Sequence, residues 1–328
     1  MLRYRFAYNP GLHRPGQTFV SNNFRVYVDT SSYMVFDMIH NVKLYAGTEL
    51  YIHKPRVFIC FYRAHFQFFE DYVSSFKDTF ELELYLYDDA RTQKYSPFDY
   101  YIFMQHAPPH YQPNFILLNT EQITRPEYVK QMIEAISGGL TILDYSSENV
   151  HNIAVMGGHS LSLRYQFNSE EVDFLKTCST QDVDVVFTGT LSPRRMHIIA
   201  QLREVGVTVN VIDGWGKDRD KRLMRGKILL NIHYREDYMV YESIRCDRCL
   251  FAGMIVVTEK SNRQDLVDVN PLLIIENYDN LVSRTLSVLT NYEGEKQRLI
   301  QVRDEVLDQI VSERRSDVVR IKEHLGLV

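Results

Sequence analysis

Apolar positions along this chain fall into short runs separated by amphipathic stretches, and the pattern is sharpest over residues 183–259. In DVVFTGTLSPRRMHIIAQL, Val183, Val185, Val186 and Phe187 predict a buried strand and Gly189 and Thr190 a turn. Ser192 and Pro193 then read as an N-cap followed by proline at the first helical position. Met196, Ile199 and Leu202 recur at helical spacing and are expected on one buried face. A second strand, over 228–232, delivers Asn231, His233 and Tyr234 to its end. A loop follows, then a helix opening near Tyr241 with Glu242, Ser243 and Arg245 in its first turns, and Gly253 ends that helix before a strand over 254–257.

The same alternation runs through the rest of the chain. Strands are expected at 24–28, 57–62, 82–87, 100–104, 115–119 and 141–144, with helices near 31–45, 65–76 and 127–136. A second series has strands at 183–187, 207–212, 228–232, 254–257 and 272–275, with helices near 194–205, 218–225 and 241–252. Strands alternating with helices imply parallel sheets covered on both faces. A chain of 328 residues exceeds one comfortable core. The expected class is therefore α/β with two doubly wound, Rossmann-like domains, 1–170 and 171–328, joined where polar residues replace the strand pattern over 167–182. Ligands bind such sheets beyond the carboxyl ends of the strands. A long helical pattern over about 293–325 carries Leu299, Val302, Val306, Ile310 and Val311 without a strict heptad, so it is expected to pack across the molecule rather than in a coiled coil, in the service of either domain clamping or dimerisation.

Composition narrows the partners. The chain is 45% hydrophobic and 24% charged, as in a globular protein, and no run approaches the roughly 18 apolar residues of a membrane span. The opening MLRYRFAYNPGLHRPG has no apolar signal core, so a cytoplasmic location is expected. A net charge of −5 without a basic tract argues against a nucleic-acid partner. Cys246 and Cys249 form a C-x-x-C with no second ligand pair nearby, and are expected as a partly buried helix turn rather than a zinc or redox site. The aromatic residues, 22 Tyr and 18 Phe against one Trp, crowd the first half. Most are expected in core and rim packing, and a minority reading puts some in a sugar-binding cleft.

Arg194 and Arg195 stand out because they occupy the first turn of a helix, where the dipole disfavours each cation by roughly 0.3–1 kcal/mol. A bound anion reverses that penalty, and helix N-termini beside glycine turns suit phosphate. The alternative is a pair of solvated arginines. The D-x-D triplets Asp182/Asp184 and Asp218/Asp220 are expected as solvated surface, and no metal is expected. Glu121 and His106 each follow a strand of the first half and are candidate general bases, Glu121 before His106.

These clusters resemble the two-Rossmann-domain (GT-B) nucleotide-sugar glycosyltransferases of the bacterial and viral group 1 type. FTGTLSPRR is similar to that family's strand–glycine–loop beside the diphosphate, and LNIHY with YE-x-x-R and VVTE is similar to its donor-side signature. FILLNTEQI and LDYSSENV are similar to segments of its N-terminal domain, so the resemblance covers roughly residues 100–260. The better-known retaining pattern places two glutamates eight apart, where this chain has Val240 and Arg248. The stereochemistry is therefore left open.

The resemblance implies a cleft between the two domains. It implies that Gly189, Thr190 and Arg194 or Arg195 face a donor diphosphate, and that Gly214 and Trp215 border the nucleobase. Glu242 would take the ribose hydroxyls, while His233 and Arg245, beside Tyr234 and Ser243, would supply positive charge near the phosphates or sugar. It implies transfer from a nucleoside-diphosphate sugar to a glycan or small-molecule hydroxyl, with no cofactor. The alternatives are a nucleotide-sugar epimerase of the same architecture, a non-catalytic two-lobed binding protein, and a transferase acting on modified DNA bases.

Overall fold

The computed structural model describes residues 56–62, 65–77, 80, 95, 99–108 and 110–327 with side chains, and the backbone of the strands β1–β6 and β8. Strands β1 (Leu2–Arg5) and β6 (Glu49–Ile52) pair antiparallel. Between them β2 (Thr18–Ser21), β3 (Phe24–Val28), β4 (Val35–Asp37) and β5 (Val42–Leu44) form an antiparallel four-stranded sheet. The helix expected over 31–45 is thus replaced by β4 and β5, whose Val, Phe and Leu suit a pleated surface. The rest of that helix assignment lies outside the described residues.

Two parallel sheets carry the remainder. The first is built from β7 (Val57–Phe61), β8 (Leu82–Leu86), β9 (Tyr100–Met104), β10 (Phe115–Asn119), β11 (Thr141–Asp144) and β12 (Ser160–Ser162), in the order β12-β11-β10-β9-β7-β8. Every residue of β7 and β10 is buried, as apolar runs covered on both faces require. Helices α1 (Phe66–Phe76), α2 (Pro126–Ser137) and α3 (Ser147–Val155) lie between these strands in sequence, and α4 (Ser169–Thr177) follows the last. The expected junction over 167–182 is therefore largely helix α4, capped by the Asn168 side chain.

The second sheet comprises β13 (Val183–Thr188), β14 (Val209–Ile212), β15 (Gly226–Asn231), β16 (Ile255–Glu259) and β17 (Ile274–Glu276), in the order β14-β13-β15-β16-β17. Its helices are α5 (Pro193–Glu204), α6 (Gly216–Leu223), α7 (Ser243–Phe251) and α8 (Leu281–Thr290). Both sheets reverse direction once: β7 has β8 on one side and β9 on the other, and β13 is likewise flanked by β14 and β15. Each reversal opens a crevice at the carboxyl edge, where neighbouring crossovers leave in opposite directions.

Helix α9 (Tyr292–His324) ties the two sheets together. It contacts α8 and β16 of the second sheet and β12 of the first, and Leu325 at its end accepts from the Tyr100 hydroxyl at 2.6 Å. Buried Arg314, midway, donates to both Asp268 oxygens and to the Tyr165 carbonyl. No helix among the described residues is long and apolar enough to cross a membrane.

Some expected side-chain placements change. Met196 is exposed, and α5 instead buries Arg195, Ile198, Ile199 and Leu202. Arg195 takes the inward position because two carbonyls receive its guanidinium, described below. Cys246 and Cys249 are fully buried rather than partly so. Asp182 and Asp184 pair with Arg225 and Lys227 at the surface. Asp220, expected in solvent, is buried among Arg219 and Arg248.

Candidate functional site

The carboxyl edges of the two sheets meet. Gln122, after β10, donates from Nε2 to Glu242 Oε1 at 2.6 Å and accepts from the Val240 N–H at 3.2 Å. Phe68 of α1 meets Trp215, after β14, with ring centroids 4.5 Å apart. Asp71 of α1 pairs with Arg219 of α6 and with Arg248 of α7.

Cations gather at the crevice of the second sheet. The Ser192 hydroxyl caps α5 by accepting from the Arg195 N–H, and Pro193 takes the first helical position, where a missing N–H costs nothing. Gly189 ends β13 at φ +123°, a conformation that side-chain-bearing residues rarely adopt. Its bare face lets Arg245 approach so closely that a Cβ there would lie 2.9 Å from Nη2. Arg245 donates to the Asn231 side-chain oxygen at 3.2 Å, and buried Asn231 is fixed in turn by Thr258. Arg195, 2% exposed, donates to the carbonyls of Ile232 and Thr190 at 2.8 Å each. It thereby ties the loop after β13 to the loop after β15.

Among the described residues neither Arg195 nor Arg245 has a carboxylate in an ion pair. Burial first, and then the charge of Arg245, push the Arg195 guanidinium down to about 9. Two cations held side by side at the N-terminus of a helix form an environment that an anion relieves. Alongside them an open pocket of about 640 Å³ is lined by Ser192, Pro193, Arg194, Tyr234, Arg235, Glu236 and Asp237.

Arg194 has a different role from its neighbour. It forms a fork with Glu259, at the end of β16, with Nη1 2.6 Å from Oε2, and lies over the Tyr278 ring at 3.6 Å. Neither arginine is therefore a solvated surface group. Glu259 also accepts from the His233 N–H at 2.9 Å. His233 Nε2 lies 3.3 Å from the Lys260 carbonyl, so the proton is assigned there, and buried Nδ1 is left without a partner among the described residues. Burial lowers the His233 pKa, so the ring is neutral and offers an acceptor. The permanent positive charges beside it are those of Arg194, Arg195 and Arg245.

Glu242 precedes α7 as its N-cap residue, and the Ser243 hydroxyl beside it is buried with no partner among the described residues. Tyr234 is 37% exposed, with Arg195 5.4 Å from its ring. Trp215 meets Phe68 and Arg219, and at Gly214, φ +81°, a Cβ would lie 3.3 Å from Arg222 Nη2. Thr190 is exposed at the tip of the β13 loop.

The two candidate bases stand at the carboxyl edge of the first sheet. Glu121 accepts from Arg125 Nη1 at 2.7 Å and from Gln105 Nε2 at 3.1 Å, and burial raises its pKa against the opposing effect of Arg125. His106 Nε2 lies 3.3 Å from His65 Nδ1. Sequence reasoning missed His65, Gln122 and Glu259. Each stands at or just beyond a strand end, which is the one local signal the sequence offers for them.

No family model matches the chain. The "Uncharacterized protein L140" of Acanthamoeba polyphaga mimivirus is 34% identical over 279 residues, spanning 80% of this chain and 91% of its own length. "Uncharacterized protein L137" of the same virus is 32% identical over 266 residues, 77% of this chain, and this chain spans only 35% of that protein. A crystal structure of an alpha1,3-fucosyltransferase with GDP aligns at 12% identity and TM-score 0.38, over 75% of this chain and 81% of its own. A second, with GDP-fucose, gives 13% identity and TM-score 0.36 over 77% and 84%. Scores at this level do not establish a shared fold. On the sequence identity and coverage, the chain belongs to the family of the mimivirus protein L140.

Proposed function

We propose that this protein is a glycosyltransferase of GT-B architecture, which moves a sugar from a nucleoside-diphosphate sugar to a hydroxyl acceptor. Residues 1–170 would form the acceptor-side lobe and 171–328 the donor-side lobe. The observation that carries this reading is the pair Arg195 and Arg245, set around the Gly189 turn at the N-terminus of α5 without carboxylate partners among the described residues. It lies at the reversal of a parallel sheet, where the crevice admits a nucleotide.

In this reading the diphosphate lies along Thr190, Ser192 and the Arg194 N–H at the start of α5, facing Arg195 and Arg245. As the bond from the anomeric carbon to the phosphate oxygen breaks, its electron pair leaves with the diphosphate, and those donors meet the growing charge without a metal ion. Donors placed this way typically contribute a few kcal/mol, about 2.7–4 for one oxyanion-type contact. Glu242 accepts from the ribose hydroxyls with the oxygen that Gln122 leaves open. Tyr234 offers a flat face to the base, since it stands beside Arg195 whereas Trp215 stands with Phe68 of the first sheet. Arg194 and Glu259 brace the pocket wall, and His233 Nδ1 accepts a hydrogen bond from the ligand. The acceptor hydroxyl loses its proton to a base on the edge of the first sheet, where Glu121 and His106 stand.

Incubation with a panel of UDP-, GDP-, ADP- and dTDP-sugars should release one nucleoside diphosphate, and calorimetry should show that same nucleotide binding. Arg195→Ala and Arg245→Ala should each weaken binding at least tenfold. Absence of binding by every nucleotide at millimolar concentration would refute the proposal.

A further inference from the structure

The crevice of the first sheet holds a second constellation, made of aromatic rings and a histidine pair. Tyr62 follows β7, His65 caps the start of α1, Phe68 lies one turn into α1, and His106 follows β9. The Tyr62 and His106 rings stand 4.8 Å apart edge to face, and His65 contacts Tyr62 at 5.9 Å and Phe68 at 6.0 Å. Phe68 then meets Trp215 of the other sheet. Tyr62, Phe68 and Trp215 are 42%, 43% and 41% exposed, so three large rings face solvent at the mouth between the sheets.

The backbone beneath them is held under strain. Gln105 adopts φ +61°, one of two non-glycine residues with positive φ among those described. Such a conformation costs of order 1–3 kcal/mol and survives only where the surroundings enforce it. Here they do: the Gln105 carbonyl accepts from Gln131, its N–H donates to the Leu118 carbonyl, and its side chain donates to Glu121 and to Tyr128. The turn that results sets the direction in which His106 leaves β9.

We infer that this crevice is the acceptor site, in which a pyranose ring lies on Phe68 and Trp215 and presents a hydroxyl to His106, with His65 as the positioning residue behind it. The inference rests on the glycosyltransferase reading for its chemistry, but not for the binding of the sugar. Exposed aromatic faces suit the C–H face of a pyranose, and Phe68 and Trp215 come from opposite sheets, so a sugar there would lie between the lobes. Among the described residues His65 and His106 bond only to each other through their side chains. When His106 Nε2–H donates to His65 Nδ1, His106 Nδ1 is left as a bare acceptor. The acceptor O–H proton moves to that Nδ1, the oxygen forms its bond to the anomeric carbon as the bond from that carbon to the phosphate oxygen breaks and its electron pair leaves with the diphosphate, and the imidazolium produced donates more strongly to His65. Burial and the neighbouring His65 both lower the His106 pKa, so His106 is neutral and ready to accept. Among the described residues Tyr62 is the other titratable group in ring contact with the pair, and Glu121, paired with Arg125, bonds to the Gln105 side chain that precedes His106.

Trp215 is the sole tryptophan of the chain, so its fluorescence reports this site alone. Titration with methyl glucoside, galactoside, mannoside, fucoside, xyloside and N-acetylglucosaminide, without nucleotide, should give a saturable change with at least one of them. Phe68→Ala should abolish it. The affinity should weaken severalfold as pH falls through the His106 titration, and His106→Gln should remove that pH dependence. With the bound pyranoside as acceptor, His106→Gln should lower kcat by about 100-fold or more while the sugar KM stays within severalfold. His65→Gln should shift the acidic limb of the pH–rate profile, where His106 titrates. No response to any pyranoside, a response that survives Phe68→Ala, or a pH dependence that survives His106→Gln would overturn the inference. A saturable, His106-dependent response in a protein that binds no nucleotide would instead keep the sugar site and remove the donor reading.

Discussion

Gln122 and Glu242, 120 residues apart in sequence, are joined by a 2.6 Å hydrogen bond that links the edge of one parallel sheet to the edge of the other. The Gln122 amide is used at both ends, since its oxygen also accepts from the buried Val240 N–H. Glu242 is thus held at the mouth of the second crevice by a residue of the first.

Replacing Gln122 by alanine removes both bonds and leaves the Val240 N–H buried without a partner. A buried donor in that state costs about 1–3 kcal/mol. Denaturant unfolding of Gln122→Ala should show a loss in that range. Gln122→Glu should be at least as damaging, because it sets a second carboxylate against Glu242. A stability equal to the parent in both variants would show that the bond does not hold the edges together.

Arg314 holds α9 to both sheets. Its guanidinium meets Asp247 and Asp268, and its Nη1 also donates to the Tyr165 carbonyl. Breaking a buried pair by removing one partner typically costs about 3–5 kcal/mol, since the remaining charge stays desolvated. Arg314→Met should lower stability by about that amount. Arg314→Lys should recover little, because one ammonium cannot reproduce the planar fork. Thermal unfolding of the two variants beside the parent checks both expectations.

Where α1 faces α6 and α7, the carboxylates Asp71, Glu171 and Asp220 share the guanidiniums Arg219 and Arg248. Negative charge exceeds positive by one in this cluster. Burial raises all three carboxyls, Asp220 to about 8, with Asp71 and Glu171 adding to the rise at Asp220. A folded-state pKa above the unfolded value means that the native protein binds the extra proton. Stability should therefore fall as pH rises from about 4 toward 8, by at most about 1.4 kcal/mol per pH unit for one proton, and level off above. Urea unfolding at stepped pH should show stability falling over that range, where buried Asp144, Glu148 and Asp247 act in the same direction, and Asp220→Asn should make the fall shallower.

Strands 100–104, 115–119 and 141–144 were legible to the residue because each is an apolar run bounded by polar turns, a pattern that burial on both faces imposes. Ser160–Ser162 was not, since its three residues include two serines, and α4 buries only Val172 and Leu175 amid charges. Arg194 and Arg195 announced themselves by standing at the wrong end of a helix. Their division of labour was hidden, because it depends on Glu259 and on the Ile232 carbonyl, 65 and 37 residues away. Periodicity reports which face of an element is buried and says nothing about which distant polar group will meet it. Met196 shows the converse: helical spacing with Ile199 placed it inward, but the two carbonyls that receive Arg195 turned the helix so that Met196 faces solvent.

Gly189 offers the sharpest single-residue test of the cation pair. At φ +123° any side chain is strained, and a Cβ would meet Arg245 Nη2 at 2.9 Å, Cζ at 3.1 Å and Nε at 3.4 Å. The clash involves the far end of a flexible side chain, so Gly189→Ala should fold, with Arg245 pushed off its bond to Asn231. Backbone strain of this kind costs of order 1–3 kcal/mol, which unfolding measurements should register. Loss of Arg245 as an anion contact should appear separately, as a nucleotide Kd raised by tenfold or more, each factor of ten being about 1.4 kcal/mol. Arg245→Ala should raise the Kd by a similar factor with little loss of stability, because the guanidinium is partly exposed and its only bonded partner among the described residues is an amide oxygen. In the double variant the two effects on Kd should not add, since both act through the same guanidinium. Additive effects on Kd would show that Gly189 meets the ligand directly and not by making room for Arg245.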